Sequence, residues 1–131
     1  MKSQPLIIVI LMAMFFSPNE AKAQEKSQYI RIAKLVIDST KLAGYKAALK
    51  EHAEIAVRVE PGVLMLYAIY EKNDPTHINV FEIYASLDAY NFHIKTPHFL
   101  KYKATVQDMV KSLELVDVEA IALEAKKQIS N

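Results

Sequence analysis

The chain contains no cysteine, no tryptophan and only two glycines in 131 residues. Without cysteine there is no disulfide framework, no thiolate metal ligand and no cysteine nucleophile. A dinucleotide fingerprint or phosphate-cradling loop needs several glycines close together. Gly44 and Gly62 stand far apart, so nucleotides held by those routes are excluded. Neither sign of charge prevails, with 16 Lys+Arg against 15 Asp+Glu. That balance argues against nucleic acid, whose phosphates demand a basic surface, and leaves no field to steer a highly charged substrate.

Long apolar runs are also scarce, and the clearest sits at the start. Lys2 precedes an unbroken apolar stretch over 6–16, Ser17-Pro18-Asn19-Glu20 breaks it, and Ala21 and Ala23 offer the small residues a signal peptidase reads. Residues 1–23 are therefore expected to be a signal peptide cleaved before Gln24, making the protein exported, periplasmic or secreted. The run falls short of the ~20 residues a spanning helix needs, so no stable membrane span is expected after cleavage. Residues 1–23 hold Lys2, Lys22 and Glu20; without them the 16 basic and 15 acidic residues each fall to 14, for a formal charge of zero. Residues 24–131 suffice for one core and one domain.

β-Branched residues over 30–37 predict a strand closed by Asp38-Ser39-Thr40, with Ser39 as N-cap of the following helix. Leu42, Tyr45, Leu49, Ala53 and Ala56 recur at helical spacing, and Glu60-Pro61-Gly62 ends that helix. Residues 63–70 and 77–85 read as strands joined by the turn Asn73-Asp74-Pro75-Thr76. Ser86 caps a short helix through His93, and Thr96-Pro97 opens another with Phe99, Tyr102, Val106 and Met109 on one face. A fourth strand falls within 113–123, followed by a polar tail.

This order, strand–helix–strand–strand–helix–strand, is the ferredoxin-like α+β arrangement with an antiparallel sheet. Its helices cover one sheet face. Yet the second strand alternates Val63, Met65, Tyr67 and Ile69 with Leu64, Leu66, Ala68 and Tyr70, apolar on both sides. Both faces should then be buried. An identical sheet from a second chain is the simplest cover, so a homodimer is expected.

The segment 82–102 gathers a carboxylate, two imidazoles and several aromatic rings, groups suited to taking a proton from a small apolar molecule. His93 ends the short helix, where it can orient a substrate oxygen or accept its proton, or simply bond the turn. His98 lies in the first turn of the next helix, whose unpaired N–H groups favour the neutral, proton-accepting ring. On local electrostatics it is the better base; its plain alternative is a surface residue at a bend. Glu82 shares its strand side with Val80 and Tyr84 and needs a partner such as a histidine or Arg31, to orient an imidazole or as a structural anchor. Tyr67, Tyr84, Phe92, Phe99 and Tyr102 are candidate substrate-binding rings or ordinary core. His52 and His77 read as solvent-facing. No metal site is expected: His93 and His98 lack the spacing of a helical zinc pair, and local sequence supplies no third ligand.

The pattern Glu82-x-Tyr84-x-Ser86-x-x-Ala89-x-x-x-His93-x-x-Thr96-Pro97-His98-Phe99-x-x-Tyr102, preceded by Glu60-Pro61-Gly62 and Tyr67, resembles the antibiotic biosynthesis monooxygenase domain. Within that family it is most similar to the quinol monooxygenases, over about 30–123. The resemblance implies a dimeric α/β barrel of two ferredoxin-like sheets. It also implies O2 chemistry on a small aromatic diol with no metal, flavin or haem cofactor. Many relatives carry Trp where this chain has Tyr84, and haem-degrading relatives depend on a Trp, which weakens haem binding here.

Such a reaction lets the substrate itself give electrons to O2, which a quinol does better once deprotonated. A phenol pKa near ~10 calls for a base, and imidazole titrates closest to neutral pH. The alternatives are a non-enzymatic binding module for a small hydrophobic molecule and a proton-shuttling isomerase of the same fold.

Overall fold

The structure is a computed structural model that describes residues 27–127; the expected signal peptide lies outside them. Chain order is β1 (Tyr29–Ile37), a 3-10 turn (Ser39–Lys41), α1 (Leu42–Val59), β2 (Val63–Tyr70), β3 (His77–Tyr84), α2 (Leu87–His93), α3 (Pro97–Val106) and β4 (Val110–Val118). The strands form one sheet in the order β2-β3-β1-β4, with every neighbouring pair antiparallel. This is the expected ferredoxin-like α+β fold.

The main departures from the sequence reading are at the start of the first helix and in the fourth strand. Asp38, not Ser39, caps the first helical segment: its carboxylate accepts from Thr40 N–H at 2.9 Å and Thr40 Oγ1 at 2.7 Å. That local bonding winds Ser39–Lys41 into a 3-10 turn before α1 begins. The fourth strand runs from Val110 to Val118 rather than within 113–123. Register explains it, since β1 pairs Ile37 with Val110 and Ile30 with Val118.

Ser86 and Thr96 behave as read. Ser86 Oγ accepts from Ala89 N–H, and Thr96 Oγ1 accepts from Phe99 N–H while donating to the His93 carbonyl. Buried Thr96 thus joins the end of α2 to the start of α3, with Pro97 in the first turn. The bend fixes where both histidines emerge.

Tyr45, Leu49, His52 and Ala56 form the buried stripe of α1; Tyr45 and Leu49 pack with Leu35, Ile37, Ile78 and Val80, whereas Ala56 packs with Val63 and Tyr84. His52 is therefore not solvent-facing. It sits at helical spacing between Leu49 and Ala56, and its place on the stripe overrides its polarity. On the opposite sheet face Ile32 pairs with Phe81, and Phe81 with Tyr67. That face carries no helix, and Tyr67 remains 59% exposed. No described helix is long and apolar enough to cross a membrane.

Candidate active site

Between the helices and the sheet lies a cavity of about 450 Å³. Ala33, Leu35, Leu66 and Val80 supply its floor, and Leu49, Phe99 and Val106 its roof, so most of the lining is apolar. That volume lies within the range that holds a small organic ligand. Its polar groups are Arg31, Glu82, Tyr84, Tyr90, His52, His93 and Tyr102, with Lys103, Gln107, Lys111 and Ser112 also on the lining.

Glu60, the last residue before the Pro61-Gly62 turn, is the group that organises this wall. Its Oε2 lies 2.8 Å from His93 Nδ1 and 2.6 Å from His98 Nε2. An ionised carboxylate only accepts, so both facing ring nitrogens donate and carry the proton. The arrangement fixes both tautomers, leaving Nε2 of His93 and Nδ1 of His98 as the unprotonated nitrogens of the neutral rings. Glu60 and His93 are both buried, at 5% and 2% exposure. His93 lines the large cavity, whereas His98 lines a smaller hollow of about 80 Å³ beside it. Burial lowers the pKa of His93, against the raising effect of its bond to Glu60, which keeps the ring neutral and able to accept a proton.

His52 separates the two hollows and stacks on Tyr102, with ring centroids 4.8 Å apart and planes 12° from parallel. Burial, followed by the neighbouring His93 and His98, lowers its pKa to about 4. It is a neutral wall at physiological pH, and its buried Nδ1 has no hydrogen-bond partner among the described residues.

Glu82 projects from β3 with Val80 and Tyr84, as its parity in the strand predicts. Its bonded partner is neither histidine nor Arg31 but the Tyr84 hydroxyl, which donates at 2.8 Å. Burial raises the Glu82 pKa, opposed by that bond and by Arg31, its cross-strand neighbour. Arg31 is itself held by Asp117 at 3.0 Å and donates to the hydroxyls of Tyr90 and Tyr29.

The expected site residues thus divide. His93, Glu82, Tyr84, Phe99 and Tyr102 converge on the large cavity. His98 joins through Glu60 rather than through the cavity. Tyr67 lies on the open sheet face, and Phe92 is 66% exposed on α2. Sequence reasoning missed Glu60 and His52. Glu60 looked like a helix stop, although its place before Pro-Gly was visible; His52 could have been found by continuing the Tyr45–Leu49–Ala56 stripe.

The profile of the antibiotic biosynthesis monooxygenase family matches residues 28–105. Similar solved structures include a candidate antibiotic biosynthesis monooxygenase from Bacteroides thetaiotaomicron, 45% identical, with a TM-score of 0.74 over 78% of this chain and 97% of that one. A second candidate of the same description, from Nitrosomonas europaea, is 24% identical with a TM-score of 0.68 over 72% and 90% of the two chains. A third, from Caulobacter crescentus, is 23% identical with a TM-score of 0.65 over 73% and 93%. The last two show a shared fold. Among curated proteins none matches.

Proposed function

The chain belongs to the antibiotic biosynthesis monooxygenase family, and from that premise we propose that it is an exported, homodimeric monooxygenase oxidising a quinol or related small aromatic polyphenol with O2. The observation that carries this reading is the Glu60–His93 pair at the wall of an apolar cavity. Glu60 holds the His93 proton on Nδ1, so Nε2 accepts the phenolic proton and the carboxylate stabilises the resulting imidazolium. Glu82 and Tyr84 orient the second substrate oxygen.

The quinolate then passes one electron to O2, the two radicals join at a ring carbon, and the peroxide collapses with loss of water. The sum is quinol plus O2 giving hydroxyquinone plus water, so the substrate supplies every electron. A dry site matters, because water would compete for the base and quench the charge pair.

The uncovered sheet face supports the dimer, since Ile32, Phe81 and Tyr67 form an apolar ladder that a second copy would bury. The deciding experiment is oxygen uptake by purified protein with reduced naphthoquinones. Uptake well above autoxidation, lost in His93→Asn, is expected; no enhancement across several quinols overturns the reading. Product formation without oxygen use would point instead to a proton-shuttling isomerase, for which the same pair is competent. The intact mass of secreted protein checks removal of residues 1–23.

A further inference from the structure

We propose that Glu60, His93 and His98 form a binding site for a divalent transition-metal ion of the zinc, cobalt or nickel type. The three residues come from the end of α1, the end of α2 and the first turn of α3. They bring one carboxylate oxygen and two imidazole nitrogens within 4.8 Å of one another. Bonds of ~2.0–2.2 Å place neighbouring ligand atoms roughly 3–3.5 Å apart around a tetrahedral ion. The present contacts of 2.6 and 2.8 Å would open by roughly 0.2–0.9 Å to reach that spacing, with the two ring nitrogens, already within 4.8 Å of each other, adjusting around the ion.

A second observation points the same way. Glu60 Oε1 is buried and has no hydrogen-bond partner among the described residues, although its side chain is only 4% exposed. A buried carboxylate oxygen left unpaired is costly, and an ion would satisfy it. Two imidazoles and one carboxylate are borderline donors that suit first-row transition ions rather than calcium or magnesium. His98, the most exposed of the three at 13%, borders the small hollow and marks the entry side. The fourth position falls to water or to Glu60 Oε1.

The site stands on these distances, whatever reaction the cavity carries. It has one consequence for that reaction. An ion on Nδ1 of His93 moves the ring proton to Nε2, so metal occupancy and proton acceptance exclude each other.

The test loads chelator-treated full chain with Co²⁺. One ion per chain is expected, with visible d–d bands that Zn²⁺ abolishes, and two exchangeable hyperfine-shifted imidazole N–H resonances in the proton NMR spectrum. His98→Ala and Glu60→Gln should each weaken binding more than about 100-fold, since even outer-shell changes cost 10–100-fold. His77→Ala, on the exposed Asp74 pair, should leave it unchanged. No stoichiometric Co²⁺ binding, or binding indifferent to both ligand variants, overturns the site. Should the variants fail to fold, absence of the two shifted resonances in the wild-type protein overturns it as well.

Discussion

Gly62 and Ala89 touch so closely that a Cβ built on Gly62 would lie 2.6 Å from the Ala89 Cβ. Gly62 has no positive φ, so the requirement is space and not backbone conformation. The close approach seats α2 against the start of β2 and thereby sets the height at which His93 meets Glu60. Gly62→Ala must push the helix outward. Overpacking of this kind costs about 1–3 kcal/mol. Urea denaturation should show that loss, with Tm falling by roughly 4–8 °C per kcal/mol. An unchanged midpoint would mean the contact relaxes freely.

Periodicity revealed the architecture because it reports burial. The unbroken apolar run over 63–70 and the helical spacing of Tyr45, Leu49 and Ala56 placed β2 and α1 correctly, whereas β4 begins three residues before the segment read for it. Ser86 and Thr96 were legible because a cap is a local bond between residues three apart. The Glu60 contacts were not legible, because 33 and 38 residues separate it from His93 and His98. Only packing of α2 and α3 against the end of α1 brings them together. His52 was hidden for another reason: a polar residue on an apolar stripe reads as exposed until its neighbours are known.

The two histidines bonded to Glu60 should differ in their effect on turnover. His93 faces the large cavity and His98 does not. His93→Asn should lower quinol-dependent oxygen uptake by about 10²-fold or more, the usual contribution of a general base. His98→Asn should lower it far less, by under about tenfold. Each variant is first checked for a cooperative thermal transition. Equal losses would remove His93 as the base.

Phe81 sits at the middle of the uncovered sheet face, between Ile32 and Tyr67, and does not line the cavity. If a second copy buries that face, Phe81→Lys places an unpaired charge in the interface. Sedimentation velocity at micromolar concentration should give a dimer for the wild type and a monomer for the variant, with the fold retained by circular dichroism. A wild-type monomer would leave the apolar ladder without the proposed cover.

Glu82 should leave a signature in the pH dependence of stability. Burial raises its folded pKa above the unfolded value of about 4.3, only partly offset by the Tyr84 bond and Arg31. The folded protein therefore favours the protonated acid. Its contribution is fully present below the unfolded pKa and is lost as pH rises through the folded one. Glu82→Gln keeps an acceptor for the Tyr84 hydroxyl but removes the titration. Measured by urea unfolding, the variant should gain stability relative to wild type as pH climbs from ~4 toward neutrality, then hold a constant difference. The comparison cancels His52 and the other titrating groups, which both proteins share. A difference that stays flat across this window would mean that the carboxylate is solvated in the folded state, and that Glu82 does not face a dry cavity.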